Sequence, residues 1–268
     1  ISIQVKEDPA GAKNRISEEP NRGGAMAAEL YELSNGTITV KVTNFGATIT
    51  SLLVPDANGN LADVVLGFDT VEPYQKGAGR YFGCIVGRVA NRIKEGKFTL
   101  NGLDYSLHIN NPPNSLHGKT IWASHVTPVD ENLIPTGEIM PVTGTPFDFT
   151  SERKIDSRIH EVPVGYDHNY VLECGEERSG LRHAARVKDP SSSRVLNLWT
   201  DAPGMQFYTG NFVNGVAGKG GAVYEKHAGL CLETQGFPNA INQPNFPPIV
   251  VQPGEKYKHT MLFEFSTV

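Results

Sequence analysis

The sequence contains no run of basic residues, no apolar stretch approaching the length of a membrane span and no signal-peptide pattern at its start. Its net charge is −5 and its pI is near 5.9. Nucleic acid and anionic membranes need a clustered positive field, so neither is an expected partner, and a helical membrane span has no candidate. Cysteine is scarce and odd in number, with three widely spaced residues, Cys84, Cys174 and Cys231. That pattern predicts reduced thiols in the cytoplasm and argues against a disulfide framework or a zinc site. No two histidines have the spacing of ligands on one helix face, and Asp167-His168 has no Cys or second His at ligand spacing, so no metal is expected. No Gly-rich loop precedes a helix to cradle a phosphate, so no nucleotide cofactor is expected either. Internal repeats and low-complexity tracts are also missing.

What is present is a succession of short strands separated by turns. Thr37 to Val42 alternates with period two, and Ala47 to Val54 and Leu61 to Phe68 are rich in Val, Ile and Leu. Gly96 to Leu100 and Leu103 to Leu107 flank Asn101-Gly102, a pair suited to a two-residue hairpin turn because both positions need positive φ. Further strands are expected over Arg194 to Thr200, Gly204 to Phe212, Gly229 to Thr234 and Lys258 to Thr267. Only Ser151 to His160 reads as helical. The 28 glycines and 18 prolines fall mostly between these runs. The expected class is therefore all-β, a sandwich with many connections. Residues 1–25 are polar, with little to bury, and read as a flexible extension. Residues 26–268 read as one domain, since no Pro- or Ser-rich linker divides them. The Ile at position 1 reads as a fragment, a processed product or an overextended reading frame. A sequon at Asn35-Gly36-Thr37 would matter only in a secreted protein.

Five polar clusters carry the chemistry. Leu232 to Asn242 places Glu233 at the end of an apolar run, followed by amides and a Gly-Phe-Pro turn. A carboxylate there costs free energy unless it is paired or used, and burial moves its pKa toward that of a general base. Gly87 to Ile93 sets Asn91 beside Arg92, and Asn114 to Gly118 presents His117 on a tight turn. Gly165 to Tyr170 puts Asp167 between an aromatic ring and His168, and Gln206 has aromatic neighbours. Each alone has an ordinary reading: a surface ion pair for Arg92, a loop histidine for His117, a turn former for Asp167, an exposed strand position for Gln206. Together they have the composition of a carbohydrate site, where carboxylates and amides bind hydroxyls and aromatic faces cover C–H surface.

These segments, in this order and with Asn44-Phe45-Gly46-Ala47 ahead of them, resemble those of the aldose 1-epimerases, the galactose mutarotase family, in wording closest to plant-type members. The resemblance implies a large β-sandwich of the galactose mutarotase-like type with a hexose in an open cleft on one sheet. It implies exchange of the α and β anomers of a free hexose at C1, without a cofactor. Glu233 would be the base that takes the proton from the C1 hydroxyl, and Asn91, Arg92, His117, Asp167 and Gln206 would bind the sugar. Ring opening needs a proton removed at O1 and another supplied at the ring oxygen, so one base and one acid suffice.

The family's acid is a histidine in an Asn-or-Gln-His-aromatic-Phe/Trp-Asn-Leu motif, which this sequence does not contain. The chain runs from Leu116-His117-Gly118-Lys119 directly to Ile121-Trp122-Ala123-Ser124-His125. A segment of roughly 80–90 residues, several strands by ordinary strand and loop lengths, is absent there by comparison with the family, which would leave the sandwich incomplete. The sequence is read as continuous at Lys119-Thr120, which requires Cα spacings of about 3.8 Å. His125 and His168 are the nearest substitutes for the acid. Two other readings stay open: a catalytically disabled sugar-binding relative, and a protein-interaction module on the same sandwich.

Overall fold

The computed structural model describes residues 14–16, 28–78, 81–86, 91–116, 130–132, 134–172 and 177–268. His117, His125 and the Lys119-Thr120 junction lie outside the described residues. So does most of the stretch read as an N-terminal extension. The described part of that stretch, Asn14–Ile16, forms a strand, β1.

β1 opens an antiparallel sheet with β2 (Leu30–Ser34), β3 (Thr39–Thr43), β4 (Thr48–Pro55) and β5 (Leu61–Asp63), in that spatial order. One short helix, α1 (Glu72–Gln75), follows it, with Pro73 in its first turn, where a missing N–H costs nothing. The next strands are β6 (Arg92–Ile93), β7 (Lys97–Leu100), β8 (Leu103–Ser106) and β9 (Ser115–Leu116). β7 and β8 form the hairpin expected from Asn-Gly, with Asn101 at φ 53° and Gly102 at φ 76°. Pairing of β6 with β9 brings Arg92 opposite Leu116.

The second half builds two larger sheets. β10 (Asp167–Val171), β14 (Gly204–Tyr208) and β17 (Cys231–Gln235) form a three-stranded antiparallel sheet with β14 in the centre. β11 (Glu177–Arg178), β12 (Leu181–Asp189), β13 (Arg194–Thr200) and β18 (Met261–Thr267) form a four-stranded one. A short pair, β15 (Val216–Ala217) and β16 (Val223–Tyr224), completes the described strands. The molecule is all-β, and Ser151 to His160 is not a helix. Its two isoleucines sit in separate single 3₁₀ turns, Ile155–Ser157 and Ile159–Glu161. Both pack under Tyr166 and Phe207, so burial beneath the three-stranded sheet, not helical propensity, fixes them.

Alternation along β10, β14 and β17 separates an apolar face from a polar one. The apolar face rests on two clusters. Phe207 and Tyr166 stack at 5.3 Å with Phe149 edge-on, and Met205 meets Leu198 and Leu172 beside Ala184, Ala185 and Met261. Away from these clusters the sandwich is open. A continuous hollow of about 4710 Å³ runs through it, walled by Val40, Ile49 and Leu52 of the first sheet and Leu196, Phe263 and Phe265 of the four-stranded sheet, and reaching Arg92, Asp167, Gln206 and Glu233. That is several times an ordinary ligand pocket of roughly 300–1,000 Å³.

Candidate functional site

The polar face of the three-stranded sheet is set by register. Asp167 lies opposite Tyr208, which lies opposite Cys231; the next row with the same facing is Asn169, Gln206 and Glu233. All six side chains therefore project from one side of the sheet. Gly165, at φ 84°, turns the chain into β10, and a side chain at that position would collide with the Asn211 amide. That amide and Thr209 both bond the Tyr166 carbonyl, tying the start of β10 to the end of β14. The entry of Asp167 into the site is fixed by this knot.

Over this floor the structure brings Asn91 and Arg92. Asn91 is buried in a left-handed conformation, φ 54°, and its Oδ1 accepts the Arg92 N–H at 2.7 Å. The Arg92 guanidinium is largely withdrawn from water, which lowers its pKa, while Asp167 and Glu233 act on it in the opposite direction. Gln206 donates its amide Nε2–H to Asp167 Oδ1. Burial raises the Asp167 carboxyl, and Arg92 and Gln206 offset part of that rise. Glu233 moves furthest. Desolvation first, then the charge of Asp167, pushes it up to about 8, against a hydrogen bond from Cys231 and the field of Arg92. A carboxyl group at that value exchanges protons near neutral pH, as an acid–base catalyst must.

Arg92, Asp167, Gln206 and Glu233, far apart in sequence, thus act on one another around one cleft. His168 does not join them. It is one residue out of phase, packs against Phe147 at 4.5 Å between ring centroids, and accepts the Asp167 N–H on Nδ1 at 3.1 Å. Burial drives its pKa down to about 4, so it has no proton to give at neutral pH and is not the substitute acid. The same register adds residues that the sequence did not single out: Cys231, Tyr208 and Asn169 on the polar face, with Cys84 close enough for Glu233 to act on its thiol. The legible signal was spacing by two, Cys231-x-Glu233 and Gln206-x-Tyr208. Among the described residues no group of three or more His, Cys, Asp or Glu side chains could hold a metal ion.

An all-β sandwich that gathers two carboxylates, a guanidinium and amides on one face of a sheet defines the class of site, and comparison with known proteins narrows it. The family model described as Aldose 1-epimerase matches residues 29–122 and 119–264. Galactose mutarotase of Sus scrofa is 39% identical over 331 residues, covering 91% of this chain and 95% of that protein. Galactose mutarotase of Homo sapiens is 37% identical over 339 residues, covering 94% and 97%. The crystal structure of an aldose epimerase homologue from C. elegans superposes with a TM-score of 0.79 at 24% identity, over 90% of this chain and all of that one. The chain belongs to the aldose 1-epimerase family. It is also shorter within its span than these relatives, since 91% of 268 residues leaves about 87 of the 331 aligned positions without a residue. The two family-model matches meet at residues 119–122, so the shortfall falls there.

Proposed function

We propose that this chain binds a free hexose on the polar face of β10, β14 and β17 and interconverts its α and β anomers, with Glu233 as the base. The observation that carries this reading is the placement of Glu233 on one sheet face with Asp167 and Gln206 and under Arg92, groups suited to holding sugar hydroxyls. Glu233 would take the proton from the C1 hydroxyl as the C1–O5 bond breaks, and the open aldehyde would rotate about C1–C2 before closing on its other face. Asp167, held by Gln206, and Arg92, held by Asn91, would fix the hydroxyls and the ring; His117 would add a further ligand. No cofactor is required, because the bonds broken and formed need only protons. The proton for the ring oxygen would come from water reaching the open cleft, which leaves the acid half of the reaction without a dedicated group.

The galactose mutarotases and aldose 1-epimerases that it resembles support a hexose as substrate. The acidic charge and the scarce thiols support a cytoplasmic protein without a nucleic-acid partner, and among the described residues no helix is long and apolar enough to cross a membrane. Residues 26–268 would form the sugar-binding domain and 1–25 an extension. A binding-only relative is the second reading, favoured because His168 faces away and the acid motif is missing from the sequence. Polarimetry with α-D-glucose and α-D-galactose decides between them. The first reading expects anomer exchange above the buffer rate that falls by at least about 100-fold in Glu233→Gln. Saturable binding without any acceleration would establish the second.

A further inference from the structure

We infer that Phe212, stacked on Tyr208 at the edge of the polar floor, is the aromatic shelf on which the C–H face of the hexose lies, and so a substrate-binding residue. Tyr208 belongs to the floor itself. It stands between Asp167 and Cys231 in register, on the same sheet face as Gln206 and Glu233. Phe212 continues it outward. Its ring lies within 22° of parallel to that of Tyr208, with centroids 6.4 Å apart, and its backbone N–H donates to the Tyr208 hydroxyl at 3.1 Å. Both residues line the cleft that reaches Glu233.

The exposure of Phe212 is not that of a loose loop. Its neighbours Asn211 and Val213 are buried, at 7% and 9% exposed, whereas Phe212 is 67% exposed. The turn that carries it is bonded on both sides. Thr209 and Asn211 hold the Tyr166 carbonyl, and the Gly210 carbonyl accepts the N–H groups of Val213 and His227. Gly210 has φ 62°, and a Cβ there would come within 2.8 Å of the Gly229 carbonyl oxygen. An apolar side chain scattered on a surface needs no explanation. One held in water by a fixed backbone, against an aromatic member of the floor, is a preorganised binding face.

That face suits a sugar. Hexose C–H bonds are polarised by the neighbouring oxygens and carry partial positive charge, while the face of an aromatic ring is negative. The sugar's hydroxyls meet Asp167, Arg92 and Gln206, and a run of its C–H bonds rests on the rings. The spacing also fits. Residues two apart on a strand are separated by about 6.8 Å, the scale of a hexose ring. A sugar with C1 at Glu233 therefore reaches over the next row to Tyr208 and Phe212.

The inference rests on the sugar-binding reading of the floor. Affinity for D-galactose and D-glucose is measured by calorimetry in the wild type, Phe212→Ala and Phe212→Trp, together with saturation-transfer NMR from the aromatic protons to the sugar. Phe212 is exposed and its bond to Tyr208 uses only the backbone, so both substitutions leave the fold in place. Phe212→Ala should weaken binding about three- to tenfold, the worth of one aromatic contact, and reduce transfer to the ring C–H protons. Phe212→Trp should retain both. In mutarotation Phe212→Ala should raise KM and leave kcat unchanged, as the loss of uniform binding does. Unchanged affinity in Phe212→Ala overturns the inference. So does a loss that Phe212→Trp does not restore, because that marks a local structural defect. A wild type that binds neither hexose contradicts the sugar-binding reading itself. Binding that survives in Phe212→Ala but falls in Arg92→Met leaves that reading standing and removes only the shelf.

Discussion

The polar floor of β10, β14 and β17 and the apolar hollow between the other two sheets stand in contrast within one molecule. The floor is closed chemistry: its side chains are set by register, and its carboxylates act on Arg92 and on each other. The hollow is open: Phe263, on the same face of the four-stranded sheet as Leu198, is 44% exposed. The difference follows from where each region gets its residues. The floor is drawn from strands between residues 167 and 235, with Asn91 and Arg92 brought over it from β6 and the residue before it. The hollow is walled by sheets from both ends of the chain, and about 87 aligned positions of a relative have no counterpart between them. A polar floor can thus be set by register in a sandwich whose interior is not filled.

The largest expected effect comes from filling the hollow. Inserting the corresponding segment of the Sus scrofa galactose mutarotase at residues 119–122 would bury apolar surface at about 25 cal/mol per Å². The chain as it stands should bind the dye ANS strongly, and the insertion should reduce that binding several-fold and raise Tm. An insertion that changes neither would show that the hollow is not the place of those residues.

Removing the cation from the floor comes next. Arg92→Met keeps the packing of the stem but leaves Asp167 and Glu233 without their shared counter-charge. Hexose affinity, measured by calorimetry, should fall at least about tenfold, in line with losing hydrogen bonds to a charged group. The same substitution should leave ANS binding in the hollow unchanged, which keeps the two regions distinct.

How far each region was legible in the sequence follows from the same physics. The hairpin at Asn101-Gly102 was readable because turn chemistry is local. The site residues were readable through their motifs, and their convergence needed only strand alternation. β12 was not read, because Arg182, Arg186 and Lys188 interrupt its apolar residues, although both its partners, β11 and β13, are its neighbours in sequence. Ile155 and Ile159 are spaced as on a helix, yet they serve two separate turns under Tyr166. The place of Cys231 on the polar face was not read, because a strand sets residues two apart, not neighbours, on one side.

Stability should report the floor more gently. The folded pKa of Glu233 is raised to about 8 from an ordinary 4.5, so its ionisation opposes folding. The native state binds more protons than the unfolded one in that window, and stability should decline as pH rises from 4.5 through 8. Glu233→Gln should flatten that decline and gain about 1–3 kcal/mol at pH above the folded value, after allowing for water in the cleft. Urea unfolding at several pH values measures it. His168 gives a smaller effect of opposite direction. Its folded value is lowered to about 4 from 6.5, so its contribution is intact above 6.5 and is lost as pH falls through 4. His168→Phe should flatten that acid limb by about 1–2 kcal/mol, with the Asp167 N–H losing its acceptor.

The pH dependence of anomer exchange tests the central claim most directly. If Glu233 is the base on this floor, the enzymatic rate rises with pH to a plateau with a midpoint near 8, and Glu233→Gln abolishes both the rise and the plateau. A rate with its midpoint near the ordinary carboxylate value of 4.5, or one that survives in Glu233→Gln, would contradict the account.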